Sequence, residues 1–201
     1  MKEYSAKALA TREKILQAAN DLFYENGFNA TGVDRIIADA GVTKGNFFYH
    51  FRNKEELATA VLDWHRELAF AELGLDKLLA NPSPGKALLE LLHGMAGRML
   101  SGGEACTVRG CFFGNFALEL STGSEAVRRK VQEIFDGIRA LMRDLIAKAQ
   151  AAGEIRPELD PEQTAGLLLS LMEGAVLLDK TSQSEQEVRA AETFISTYLG
   201  L

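Results

Sequence analysis

Cysteine, histidine and proline are scarce in this chain of 201 residues, with two, three and four copies. Cys106 and Cys111 are too few for the disulfide framework that holds small secreted domains together. The histidines, His50, His65 and His93, show no metal-ligand spacing such as His-x-x-x-His, and the two cysteines lack a second ligand pair. Neither a metal nor a cofactor is expected. With so few prolines there is also no Pro-rich or Ser-rich linker. Long apolar runs are missing as well. The longest, Ala165–Leu178, is interrupted by Glu173 and is shorter than the roughly 18–20 residues that a membrane span needs. The opening Met1-Lys2-Glu3-Tyr4-Ser5 has no apolar stretch of the secretory kind, so a cytoplasmic protein without membrane attachment is expected.

What is present is an ordinary globular balance, 47% hydrophobic and 25% charged, enough to bury a real core. The net charge of -6 argues against a nucleic-acid partner when taken as a sum. Its distribution says more. Residues 1–54 hold eight Lys/Arg against six acids, a net of +2, which leaves -8 for the rest. A mildly basic head therefore precedes an acidic body, a pattern compatible with a DNA-binding head.

Almost every segment repeats with helical period and none alternates like a strand, so the expected fold is all-α, with about nine helices. Ile15, Leu16, Ala19, Leu22 and Phe23 form a first stripe, with Thr11 as its expected cap and Gly27 as its stop. Thr31-Gly32-Val33-Asp34 reads as the next cap, with Ile36, Ile37 and Ala40 facing inward and Gly41 ending the helix. Thr43 caps a short third helix, Lys44–His50. Asn53-Lys54-Glu55-Glu56 opens a long one through Leu57, Val61, Trp64 and Leu68 towards Leu75. Asn81-Pro82-Ser83-Pro84-Gly85 breaks the chain, and Ser101-Gly102-Gly103 breaks it again. Later helices are expected over Cys111–Leu120, Glu125–Ala149, Glu162–Lys180 and Glu185–Tyr198.

Val33–His50 has the anatomy of a helix-turn-helix: a short helix, a tight Gly41-Val42-Thr43 turn and a second short helix. Glycine suits that reversal because it tolerates positive φ. The second helix is too polar at its start to be core. Thr43, Lys44, Gly45 and Asn46 offer hydroxyl, ammonium, bare backbone and amide groups to base edges and phosphates at a helix N-terminus. Tyr49, His50 and Lys54 follow as phosphate-type donors, while Phe47 and Phe51, four apart, are expected to pack inward.

These residues also carry a resemblance. Thr31-Gly32-Val33, Ile36-Ile37-Ala38, the run from Ala40 to Phe51 and Asn53-Lys54-Glu55-Glu56-Leu57 together resemble the signature of the TetR family of repressors, from about Thr11 to Leu62. The resemblance implies a three-helix DNA-binding head (residues 1–53) and a helical effector-binding and dimerisation body (residues 54–201). It also implies a homodimer that reads palindromic double-stranded DNA and is released by a small apolar or electrophilic effector. Matched DNA-contacting positions are Thr31, Thr43, Lys44, Gly45, Asn46, Phe48, Tyr49, His50 and Lys54. At Phe48 the family often has Tyr, so a phosphate hydrogen bond is expected to be missing there. The stripe on Glu125–Ala149 and the apolar Ala165–Leu178 helix are the expected dimer elements, with one face inward to the core and one face across the dimer axis.

The effector site is drawn more faintly. Trp64, His93, Phe112 and Asn115 are candidate lining residues. Arg109-Gly110-Cys111-Phe112-Phe113-Gly114-Asn115 before an Ala-x-Glu-Leu helix looks like a subgroup of the family that responds to electrophiles and aldehydes. That likeness makes Cys111 the candidate sensing thiol and Cys106 either its resolving partner or a bystander. A helix N-terminus and nearby Arg109 would favour thiolate at Cys111. An enzyme built on a Cys–His pair is the alternative of another class, and nothing marks such a pair. A helix-turn-helix that has lost DNA is a second alternative, opposed by the intact chemistry from Lys44 to Lys54.

Overall fold

The computed structural model describes residues 5–100 and 108–201, and among these every regular element is helical. In chain order they are α1 (Ala6–Asn26), α2 (Val33–Asp39), α3 (Lys44–His50), α4 (Lys54–Glu72), α5 (Leu75–Leu79), α6 (Pro84–Leu100), α7 (Phe112–Leu120), α8 (Glu125–Ala151), α9 (Pro161–Ser182) and α10 (Gln186–Leu199). The chain divides into two compact units. One comprises residues up to Leu68 together with Asn115–Gln132, and the other comprises Ala69–Gly114 with Glu133–Leu201.

In the first unit α1, α2 and α3 pack on one another. Their shared core is the apolar stripe of α1 (Ile15, Leu16, Ala19, Leu22, Phe23) with Ile36, Phe47, Phe51 and Leu57, all buried. Phe47 is fully buried, and losing a ring of that size from a core costs about 3–5 kcal/mol. Ile37, expected inward with Ile36, is only half-buried. α1 starts earlier than its sequence pattern indicates. Ser5 caps it by accepting from the Ala8 N–H at 3.3 Å, while Thr11 lies inside the helix and returns its hydroxyl to the Lys7 carbonyl.

α4 begins as expected. The Asn53 side chain accepts the Glu56 N–H at 2.8 Å, and Glu56 reaches back to the Arg52 N–H at 2.9 Å, so two amides at the helix start are satisfied. It does not continue to Leu75. Gly74 sits at φ 60, and α5 is a separate helix, which raises the count of helices among the described residues to ten. Leu68, placed on the inward stripe by its spacing, is 37% exposed.

In the second unit α9 packs on α10 and on α6. Asp160 caps α9 by accepting from Gln163 N–H at 2.7 Å, and Pro161 follows with its φ already set for a helix. Asp179, near the other end of α9, is fully buried. Its carboxylate accepts the Glu187 N–H at 3.0 Å, the Val188 N–H at 2.9 Å and the Ser184 hydroxyl at 3.0 Å, and so caps α10. Gln183 holds the left-handed conformation at the end of α9. Its amide accepts the Val108 N–H and donates to the Val108 carbonyl, fixing the segment just ahead of Cys111. Much of the α8 stripe is buried inside the chain, at Val131, Ile134, Ile138, Met142, Leu145 and Ile146, with Phe135 and Leu141 half-buried. α9 and α10 leave several apolar residues at the surface, Leu167, Leu171, Leu177, Leu178 and Phe194.

Candidate functional site

The turn between α2 and α3 is built on Gly41 at φ 62. Thr43 then caps α3 by accepting from the Asn46 N–H at 3.2 Å. Phe47 and Phe51 face the core, as their spacing predicts. The opposite side of α3 is bare: Thr43, Lys44, Gly45 and Asn46 are exposed, with Phe48 46% and Tyr49 55% exposed. The Lys44 ammonium lies 3.5 Å from Asp34, an exposed pair that holds it only loosely. One face of a short helix thus carries hydroxyl, ammonium, amide and phenol groups, and the other carries the head's core.

Three sequence-predicted contacts are engaged elsewhere. Thr31 is buried, and its hydroxyl donates back to α1, with Gly27 O at 2.7 Å and Leu22 O at 3.2 Å. The cap position of α2 falls to Gly32, which makes no side-chain cap. His50 is buried, with its ring edge-on to Tyr49. The Lys54 ammonium donates to Phe28 O at 2.7 Å and Thr31 O at 2.9 Å and sits 4.0 Å from the centre of the Phe28 ring. Burial pulls its pKa below the usual lysine value, against the opposing pull of Glu119. Two of its three N–H donors are therefore spent within the fold.

Glu119 itself was not singled out in the sequence. From α7 its two carboxylate oxygens accept the N–H groups of Phe28 and Asn29, each at 2.8 Å. An acid in the last turn of a short helix gives no sequence signal of a partner 90 residues away. Its only trace was its place in the Ala-x-Glu-Leu pattern.

Cys111 is buried directly before α7. Its sulfur accepts the Gly114 N–H at 3.3 Å. Burial pushes the thiol well above its usual pKa, and the Glu173 carboxylate, which accepts the S–H, pushes it further. This corrects the expectation of a favoured thiolate: the amide of the helix start is present, but desolvation and a neighbouring anion outweigh it. Glu173 is pushed up in turn by burial. Glycine at position 114 leaves room for this pair, since a Cβ there would lie 2.7 Å from a Glu173 oxygen and 3.2 Å from Cys111 Cβ.

Phe112 is buried and Asn115 half-buried at the start of α7. The His93 side chain is 82% exposed and pairs with Glu192 at 3.0 Å. Trp64 lies in the first unit, in an open groove of about 550 Å³ shared with Arg12, His50, Phe51, Glu56, Asp63 and Lys130. Cys106 lies outside the described residues. Among the described residues, no cluster of His, Cys, Asp and Glu is placed to hold a metal.

Comparison with known proteins decides what this scaffold is. Residues 89–195 match the family model described as tetracyclin repressor-like, C-terminal domain, and residues 15–61 match that of bacterial regulatory proteins, tetR family. The chain belongs to the TetR family. Similar proteins include the HTH-type transcriptional repressor DhaR of Mycobacterium sp. (strain GP1), 28% identical over 87% of this chain and 85% of DhaR. A TetR transcriptional regulator from Chloroflexus aurantiacus superposes with a TM-score of 0.84 at 30% identity, covering 98% of this chain and 97% of that one. The reduced form of NemR from E. coli superposes with a TM-score of 0.83 at 25% identity, over 93% and 95% of the two chains. As a member of the TetR family the protein is a DNA-binding transcriptional regulator and not an enzyme. Among the described residues no helix is long and apolar enough to cross a membrane.

Proposed function

We propose that the protein is a cytoplasmic, homodimeric repressor that holds a palindromic operator and releases it when a small apolar or electrophilic inducer engages its body. The division of labour is residues 1–53 for DNA and residues 54–201 for effector and dimer. The observation that carries the DNA half is the exposed polar start of α3, where Thr43, Lys44, Gly45 and Asn46 stand at the surface beside the Thr43 cap and the loose Lys44–Asp34 pair. Thr43, Lys44, Gly45 and Asn46 meet base edges and nearby phosphates. Tyr49 meets the phosphate backbone, and Phe48 adds apolar contact. Thr31, His50 and Lys54 serve chiefly by holding the head in shape. One such head contacts too little DNA for tight binding, and a two-fold partner supplies the second half-site. The exposed apolar residues of α9 and α10 support that pairing.

For the inducer, the Cys111–Glu173 pair supports a reaction with electrophilic alkenes such as maleimides. The sulfur adds to the activated carbon and forms an S–C bond. The S–H proton passes to Glu173, and the resulting enolate takes a proton from water. A raised thiol pKa makes this base the more necessary, because little free thiolate exists at neutral pH.

A gel shift on the DNA upstream of the protein's own gene, with and without N-ethylmaleimide, tests the reading in parent and Cys111→Ser. The parent is expected to bind and to be released by the maleimide, while the serine variant stays bound. Full release of Cys111→Ser would remove the thiol from the proposal. No salt-sensitive binding by the parent to any promoter fragment would remove the regulator's operator altogether.

A further inference from the structure

The segment between α1 and α2 is gripped from two sides at one residue. On one side the Glu119 carboxylate takes the N–H groups of Phe28 and Asn29 in a two-pronged bond, each 2.8 Å. On the other side the Lys54 ammonium takes the Phe28 carbonyl at 2.7 Å and covers the Phe28 ring at 4.0 Å. The ring itself packs against Phe23 and Phe116, with centroids 5.4 and 6.1 Å away. Phe116 stands three residues before Glu119, on the same face of α7. Gly27 permits the close approach: it sits at φ 81, and a Cβ there would lie 3.2 Å from both Glu119 oxygens.

The position of this node matters more than its strength. Residue 28 lies just ahead of α2, and Lys54 opens α4 just behind α3. The pair α2–α3 is therefore tethered at its entry and at its exit to the same residue. We propose that Glu119 is a positioning residue for DNA binding: it touches no DNA, and it sets the angle at which α3 is presented by fixing the α1–α2 segment to α7. Charge-assisted bonds to backbone amides are the strongest class of hydrogen bond available here, which suits a fixed point. The inference rests on the reading that α3 contacts the operator.

Glu119→Gln keeps the shape but loses the charge, and it turns one N–H donor towards an amide that needs an acceptor. The test uses the full chain and an operator selected by the parent from a pool of random DNA duplexes. In the variant, hydrogen exchange at the Phe28 and Asn29 amides is expected to rise about tenfold, with operator affinity falling by about the same factor. The slope of log affinity against log salt is expected to stay at the parent's value, because no phosphate contact belongs to Glu119. Lys54→Met, which removes the other jaw, serves as the second variant.

Faster exchange with operator affinity within about twofold of the parent would overturn the positioning role, as would unchanged exchange. If both variants unfold the whole chain, the node is a folding element and the inference fails. Should the pool yield no duplex that the parent binds, the DNA reading fails first and takes the inference with it.

Discussion

A lysine at the start of a helix beside a DNA-reading motif reads, in sequence, as a phosphate ligand. In the folded chain Lys54 is occupied with two carbonyls and a ring. Spacing shows where a charge stands along a helix and not what has already claimed it. Tyr49, by contrast, is 55% exposed at the surface of α3. Tyr49→Ala is expected to weaken binding to specific and random duplexes alike, by about five- to tenfold, with little change in melting temperature. Fluorescence titrations against both duplexes would check this, and a loss confined to the specific one would make Tyr49 a base reader instead. Glu173 shows the same limit at the second site: nothing in an apolar run broken by one acid says that the acid meets a thiol. Burial raises its pKa in the fold, so the stability that its protonated form contributes at low pH is lost as pH rises through the folded value. Glu173→Gln is therefore expected to melt higher than the parent near neutral pH, by a few degrees, with the gap closing near pH 4. A gap that widens on acidification would contradict the sign.

At the scale of elements, legibility followed the caps. Thr43 before α3 and Asn53 before α4 were readable because short polar side chains at helix starts have one common use. Ser5 and Gly32 were missed for the converse reason: Thr11 and Thr31 looked like better caps, yet both hydroxyls bond back to carbonyls of α1. The break at Gly74 was missed because an isolated glycine in a periodic run has no fixed meaning. Most telling is Asp179, a carboxylate inside one helix that caps the next. Asp179→Ala leaves the Glu187 and Val188 amides without their acceptor and is expected to cost about 1–3 kcal/mol in urea unfolding. Faster exchange should be concentrated in the first turn of α10. An even loss over the whole second unit would point to a cavity rather than a lost cap.

For the whole molecule, the all-helical class and the helix-turn-helix were legible because they depend on local period and turn chemistry. Two apolar helices were named from sequence as packing both inward and across a dimer axis, and much of the α8 stripe is buried within the chain, since periodicity shows that a face is apolar and not which neighbour covers it. α9 and α10 carry several exposed apolar residues, and an acid there should be felt chiefly if a second copy meets it. Leu178→Glu is expected to convert a dimer to a monomer in sedimentation experiments and to lower operator affinity at least tenfold, with its fold intact. An unchanged sedimentation coefficient would move the interface elsewhere.

Trp64 is the chain's single tryptophan, and it shares its groove with His50 and Phe51, the last residue of α3 and the residue after it. The molecule thus carries one tryptophan, whose emission can be excited apart from that of its tyrosines, next to the end of the helix assigned to DNA. Its emission can be followed without a label, at native concentration and in real time. A stopped-flow trace on mixing with operator would then separate the moment of encounter from any later settling of the head.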